Sequence, residues 1–182
     1  MFALVRNAMR PFARFAAEKR GAAAVEFAIV LLPFTLLTIG VAEVGLVGYS
    51  QSALDFAVNE TARQIRTGQA QQGGLNQTQI KDMLCDEMGN LIFIDCTADM
   101  FMDVQRFDSF VEAATVASPM QNDEFVTSSF GYDPGAPSDI VVVRAFFRWR
   151  PLTPAFRDLF KNVANGDRII ASTMMFRNEP YE

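Results

Sequence analysis

Glu26 is the side chain whose placement most needs a chemical reason. It lies five residues into the apolar run Ala22–Gly48, AAAVEFAIVLLPFTLLTIGVAEVGLVG, whose two ionisable groups are Glu26 and Glu43. A carboxylate carried into lipid costs ~2.5–3.5 kcal/mol on insertion scales. It must therefore snorkel to water at the membrane boundary or pair with a cation.

The other reactive side chains point to little chemistry. The chain has no histidine, which removes histidine bases, histidine triads and histidine-ligated metals. No phosphate-binding loop, dinucleotide fingerprint or nucleophile elbow is present. Asp86-Glu87 and Asp123-Glu124 are adjacent acids, the usual mark of a solvated surface rather than a catalytic pair. Asp95, Asp99 and Asp103 recur every four residues, unlike the alternating ligands of a calcium loop. No enzymatic activity, metal or cofactor is expected. Arg144, Arg148, Trp149 and Arg150 could suggest nucleic acid, but the formal net charge is −5. They are expected on the outward face of a strand, with Arg150 displaced by the Pro151 turn.

The elements that position Glu26 follow from charge and hydropathy. Residues 1–21 hold Arg6, Arg10, Arg14, Lys19 and Arg20 against Glu18, and the remainder carries a net −9. The 27-residue run after them exceeds the ~20 residues a membrane helix needs. Basic residues before the run predict a cytoplasmic N-terminus and an external body. Beyond it, Leu54, Val58, Ala62 and Ile65 form a helical stripe with polar residues between them. A single helix over 22–66 would be ~68 Å long.

Lys19-Arg20-Gly21 followed by Ala22-Ala23-Ala24-Val25-Glu26-Phe27-Ala28 resembles the processing site of type IV-type prepilins. That resemblance implies cleavage between Gly21 and Ala22 by a prepilin peptidase, which leaves Glu26 fifth in the mature chain. The new ammonium at Ala22 would then offset a buried carboxylate, its own or a neighbour's. Together with Pro33, Gly40, Glu43, Gly45, Ala57, Ala62-Arg63 and Thr67-Gly68, the string resembles the TadE-like proteins of the tight-adherence (Flp) pilus system. The ending Phe176-Arg177-Asn178-Glu179-Pro180-Tyr181 is also similar to endings in that family. Glu26-Phe27 resembles the paired motif of Flp-type prepilins. The body is longer than a major Flp pilin, which favours a minor pilin or pseudopilin.

The expected fold is α+β: a long transmembrane-plus-amphipathic helix packed on a small antiparallel sheet head with short helices. Residues 1–21 form a basic leader, 22–48 the span and 49–182 the extracytoplasmic head. Gln69–Gly74 reads as a flexible loop. Asn76 with Gln79 begins a capped helix that buries Ile80, Met83, Leu84 and Met88 and ends at Gly89. Strands are expected at Leu91–Ile94, Met100–Phe107, Glu124–Phe130, Ile140–Trp149 and Arg168–Phe176, with a short helix at Ala155–Val163. Cys85 and Cys96 would form a disulfide if the head is extracytoplasmic; the alternative is two buried thiols.

The expected partners are other pilin-like subunits, the prepilin peptidase, the pilus assembly machinery of the bacterial inner membrane and the lipid bilayer, without nucleic acid. The competing expectation is an uncleaved single-span scaffold of a pilus or secretion machine. It would keep Arg6, Arg10 and Arg14 as a cationic stripe on lipid.

Overall fold

The computed structural model describes residues 21–89 and 96–181. The leader arginines, Lys19 and the strand expected at Leu91–Ile94 lie outside the described residues. Helix α1, Ala22–Arg66, is followed by α2 (Gln69–Gln72), α3 (Gln77–Met88), α4 (Cys96–Asp99), β1 (Met100–Phe107) and α5 (Phe110–Ala113). Then come β2 (Met120–Gln121), β3 (Glu124–Phe125), β4 (Ile140–Trp149), a 3₁₀ turn (Pro154–Phe156), α6 (Arg157–Phe160) and β5 (Arg168–Arg177). The architecture is mixed α+β, with a long N-terminal helix, a small antiparallel sheet and short helices. The chain divides into two compact units, one ending at Ala42 and one running from Glu43.

The second unit is built around β4. Its sheet has the order β1-β4-β5, antiparallel throughout. IVVVRAFFRW reads as an almost unbroken apolar run because β4 is central and covered on both faces. Val141, Val143, Ala145, Phe147 and Trp149 point into the main core, with Leu54, Val58 and Ile65 of α1 and Ile80, Leu84 and Met88 of α3. The helical stripe Leu54, Val58, Ala62 and Ile65 is buried as its spacing predicts. α1 lies along β5: Gln51 Nε2 donates to the Ala171 carbonyl at 3.1 Å, and the Glu179 N–H donates to the Arg66 carbonyl at 2.8 Å.

Local signals end and start the helices. The Asn76 side chain accepts from the Gln79 N–H at 3.0 Å, and the Gln79 side chain accepts from the Asn76 N–H at 2.9 Å. This reciprocal pair satisfies two donors that the first turn of α3 would otherwise leave open. Ile80, Leu84 and Met88 are buried, while Met83 is half-buried. Cys85 and Cys96 are joined in a disulfide with Cα atoms 5.8 Å apart, so α3 is tied to α4.

Four expectations need correction. Gln69–Gly74 is not a loop throughout: Gln69–Gln72 is helical, because Ala70 is drawn into the core. The strand expected over Glu124–Phe130 shrinks to Glu124–Phe125, which forms a hairpin with Met120–Gln121. Asn122 and Asp123 turn that hairpin with φ of 51° and 61°, the primed turn geometry such residues tolerate. The helix expected at Ala155–Val163 ends at Phe160. Val163 leaves it to join Phe146 and Ile169 in a second apolar cluster, and Asn162 clips the Ile169 backbone with bonds of 2.9 and 2.7 Å.

The fourth correction concerns the arginines of β4. Arg144 is buried, not outward. The second sheet face is roofed by Phe125 and Phe130, which pack with Phe146 and Phe101. A strand face expected to meet water is therefore an interior layer. Arg144 meets Asp103 directly across the β1–β4 pairing, with bonds of 3.0 and 2.6 Å. Arg148 is partly covered and lies over the Phe101 ring at 4.8 Å. Arg150 makes a bidentate pair with Asp99 at 2.7 and 2.6 Å. Asp99 and Asp103 are thus engaged by arginines.

Candidate functional site

Residues 22–42 of α1 carry the feature that needs a function. Helix forms here because the stretch is rich in Ala, Leu and other residues that keep the backbone regular. Pro33 lies inside the helix, where it removes one N–H donor. Val25, Phe27, Ile29, Val30, Leu32, Phe34, Leu37 and Val41 are each at least three-fifths exposed. Successive residues such as Ile29 and Val30 point in different directions, so the exposure covers the whole circumference rather than one stripe. Soluble proteins rarely expose contiguous apolar patches beyond a few hundred Å².

The two threonines of this stretch bond back to their own helix. The Thr35 hydroxyl donates to the Leu31 carbonyl at 2.8 Å, and the Thr38 hydroxyl donates to the Phe34 carbonyl at 2.9 Å. Both groups are satisfied without water, as a lipid-facing helix requires. The helix is long and apolar enough to cross a membrane, which supports single-pass anchoring.

Gly21 precedes the helix and has open space where a Cβ would stand. Ala22 is its first residue, and Glu26 and Phe27 are exposed one turn further on. These four residues are brought together by sequence adjacency and helical pitch alone.

Glu43 behaves differently from Glu26. It is only 2% exposed, and its Oε1 accepts the Leu152 N–H at 2.7 Å. Its Oε2 is buried without a hydrogen-bond partner among the described residues. Glu43 therefore belongs to the folded unit, attached to the loop after β4. Its partner is a backbone N–H more than one hundred residues away, which no local pattern announces.

A second cluster brings together Thr67-Gly68 and the C-terminal ending, strings the sequence offers only as resemblances. Gly68 has φ +80°, and a Cβ there would lie 2.3 Å from the Tyr181 ring. Asn178 is buried and donates its side-chain amide to the Pro134 and Ala136 carbonyls at 2.9 and 3.0 Å. Arg66 and Glu179 form an ion pair at 3.3 Å. The end of α1 and the chain terminus thus clasp each other.

A cleft of 360 Å³, beside β1, is lined by Gln77, Thr78, Lys81, Phe101, Thr127 and neighbouring residues, and Lys81 is its one ionisable group. Asp86 and Glu87 are exposed and point to no shared centre.

Over residues 21–63 the chain matches a family model described as TadE-like protein. No curated protein and no solved structure matches the chain. The match covers the apolar part of α1 and most of its packed part, and stops before the sheet. TadE-like pilus proteins are structural rather than catalytic as a kind. The segment from Gly21 to Arg63 is therefore similar to TadE-like proteins.

Proposed function

We propose that this chain is a membrane-anchored minor pilin or pseudopilin that supports tight-adherence pilus assembly by packing, not by catalysis. One observation carries the reading: a helix apolar on every face, with a lone carboxylate one turn after Gly21, where the family match begins. Cleavage by the prepilin peptidase between Gly21 and Ala22 frees an ammonium beside the apolar phase. Gly21 suits a narrow peptidase cleft because it has no side chain. Glu26, with Phe27 beside it, then sets helix register by pairing with that amine or with a neighbour's. Arg6, Arg10, Arg14, Lys19 and Arg20 hold the N-terminus in the cytoplasm until cleavage, which places the head outside the inner membrane. The disulfide agrees with an oxidising compartment for the head. The head's contacts with other pilin-like subunits prime or cap the fibre.

The spacing of Arg6, Arg10 and Arg14 favours one other reading, an uncleaved single-span scaffold whose basic tail stays on anionic lipid. N-terminal sequencing of the membrane-extracted protein separates the two. Ala22 first, lost in Gly21→Phe, is the expected result; Met1 first in cells with active peptidase overturns the processed-pilin reading.

A further inference from the structure

We propose that Glu43 and Trp149 enclose one buried water, and that Glu43 holds α1 to the end of β4 through two donors. One is the Leu152 N–H, bonded directly; the other is the Trp149 indole N–H, reached through that water. The inference concerns the folded unit alone. It goes beyond the pilin reading and does not rest on it.

The first observation is a matched pair of unused groups. Glu43 is 2% and Trp149 3% exposed. Glu43 Oε2 and Trp149 Nε1 are both buried, and neither has a hydrogen-bond partner among the described residues. The carboxylate oxygen is an acceptor and the indole N–H a donor. Buried polar groups left unpaired are costly, and folded chains seldom leave them so.

The second is position. Gln51 Nε2 donates to the Ala171 carbonyl at 3.1 Å, which fixes the level of α1 against β5. Further along both elements the Arg66 carbonyl accepts the Glu179 N–H, so α1 and β5 run in the same direction. Glu43 lies eight residues before Gln51, about 12 Å back along the helix. Arg168 lies three residues before Ala171, about 10 Å back along the strand. Arg168 is paired with Trp149, so Glu43 and Trp149 stand at one level. The bond from the Leu152 N–H to Glu43 Oε1, 2.7 Å long, agrees, since Leu152 follows Trp149 by three residues. Both side chains face the layer between α1 and the sheet. Trp149 belongs to the main core, and Val47, one turn after Glu43, packs against that core.

The third is the chemistry of the gap. A water accepts from the indole N–H and donates to the carboxylate, so one molecule satisfies both groups. A cation would serve Glu43 but not the indole N–H. The neighbouring guanidiniums are also committed elsewhere: Arg150 to Asp99 at 2.7 and 2.6 Å, and Arg168 to the Phe160 carbonyl at 3.2 Å.

Trp149 is the sole tryptophan of the chain, so its indole N–H gives one nuclear magnetic resonance signal. The full chain, labelled with nitrogen-15 and held in detergent, is compared as wild type, Glu43→Gln and Glu43→Leu. Glu43→Gln keeps an acceptor for the Leu152 N–H and offers the water an amide donor; Glu43→Leu removes both contacts. The expected result is a rotating-frame Overhauser peak between water and the indole N–H in wild type and Glu43→Gln, lost in Glu43→Leu. Exchange of the Leu152 amide should quicken about tenfold in Glu43→Leu and stay near the wild-type rate in Glu43→Gln. An unchanged circular dichroism spectrum checks the fold. A wild-type indole without a water peak overturns the inference whatever the variants do. A peak that survives in Glu43→Leu overturns it too, and equal Leu152 exchange in all three proteins overturns the anchoring role.

Discussion

Arg144 faces Asp103 across the β1–β4 pairing, beneath a roof of phenylalanines. Asp103 is satisfied on both oxygens: Oδ1 accepts the Gly131 N–H at 2.9 Å, and the Gln105 amide reaches both at 3.0 Å. Arg144 spends its third contact on the Ala117 carbonyl at 2.7 Å and lies over the Phe130 and Phe146 rings. Removing one member of such a pair strands the other in a poorly solvated site. Arg144→Met should cost ~3–5 kcal/mol, and the double variant Asp103→Leu/Arg144→Met should recover most of it. Urea denaturation of the detergent-solubilised chain measures both. Tyr132 makes a different prediction. Its hydroxyl is buried without a hydrogen-bond partner among the described residues, and burial raises its pKa above the usual value. The folded state therefore holds the phenolic proton more tightly than the unfolded state. The stabilising contribution is intact below the unfolded pKa of ~10 and is lost as pH climbs through the higher folded value. Tyr132→Phe should remove that fall, seen by comparing unfolding midpoints of the two proteins across the alkaline range.

At the scale of elements, α1 is one helix under two regimes. Up to Ala42 its side chains are exposed all round; from Leu54 on, one stripe is buried and the rest is polar apart from the exposed Phe56. Its C-terminal end is closed by geometry as well as by sequence. Gly68 takes the left-handed conformation that lets the chain turn out of the helix, and its missing side chain leaves room for Tyr181. Gly68→Ala meets both strains and should destabilise by more than ~1 kcal/mol. Adding Tyr181→Ala to it should relieve the clash but not the backbone cost. Thermal unfolding of the single and double variants tests this, and fully additive losses would argue against the clasp.

For the whole molecule, the distribution of charge separates roles. The sequence is basic before the span and acidic after it. Glu26 is a carboxylate of the exposed apolar helix, and Glu43 one of the folded core. In the proposed pilin, Glu26→Ala removes a charge that burdens insertion, so membrane extraction should be unchanged while assembly falls. Pili counted by electron microscopy on cells carrying this variant provide the measurement, and normal numbers would exclude the register role.

Much of this was legible in the residues themselves. Hydropathy over 22–48, the four-residue stripe of α1, the Asn76–Gln79 cap and the ranges of β1, β4 and β5 are local patterns, because helical pitch, strand alternation and capping act within a few residues. The family resemblance was legible for the same reason, since it rides on a contiguous string. The burial of Arg144, the partner of Glu43, the brevity of β3 and the meeting of Gly68 with Tyr181 were not. Each depends on which distant segment covers a face. A one-dimensional pattern can say that β4 is an almost unbroken apolar run, but only the folded chain decides that aromatic rings rather than water surround Arg144 on its second face.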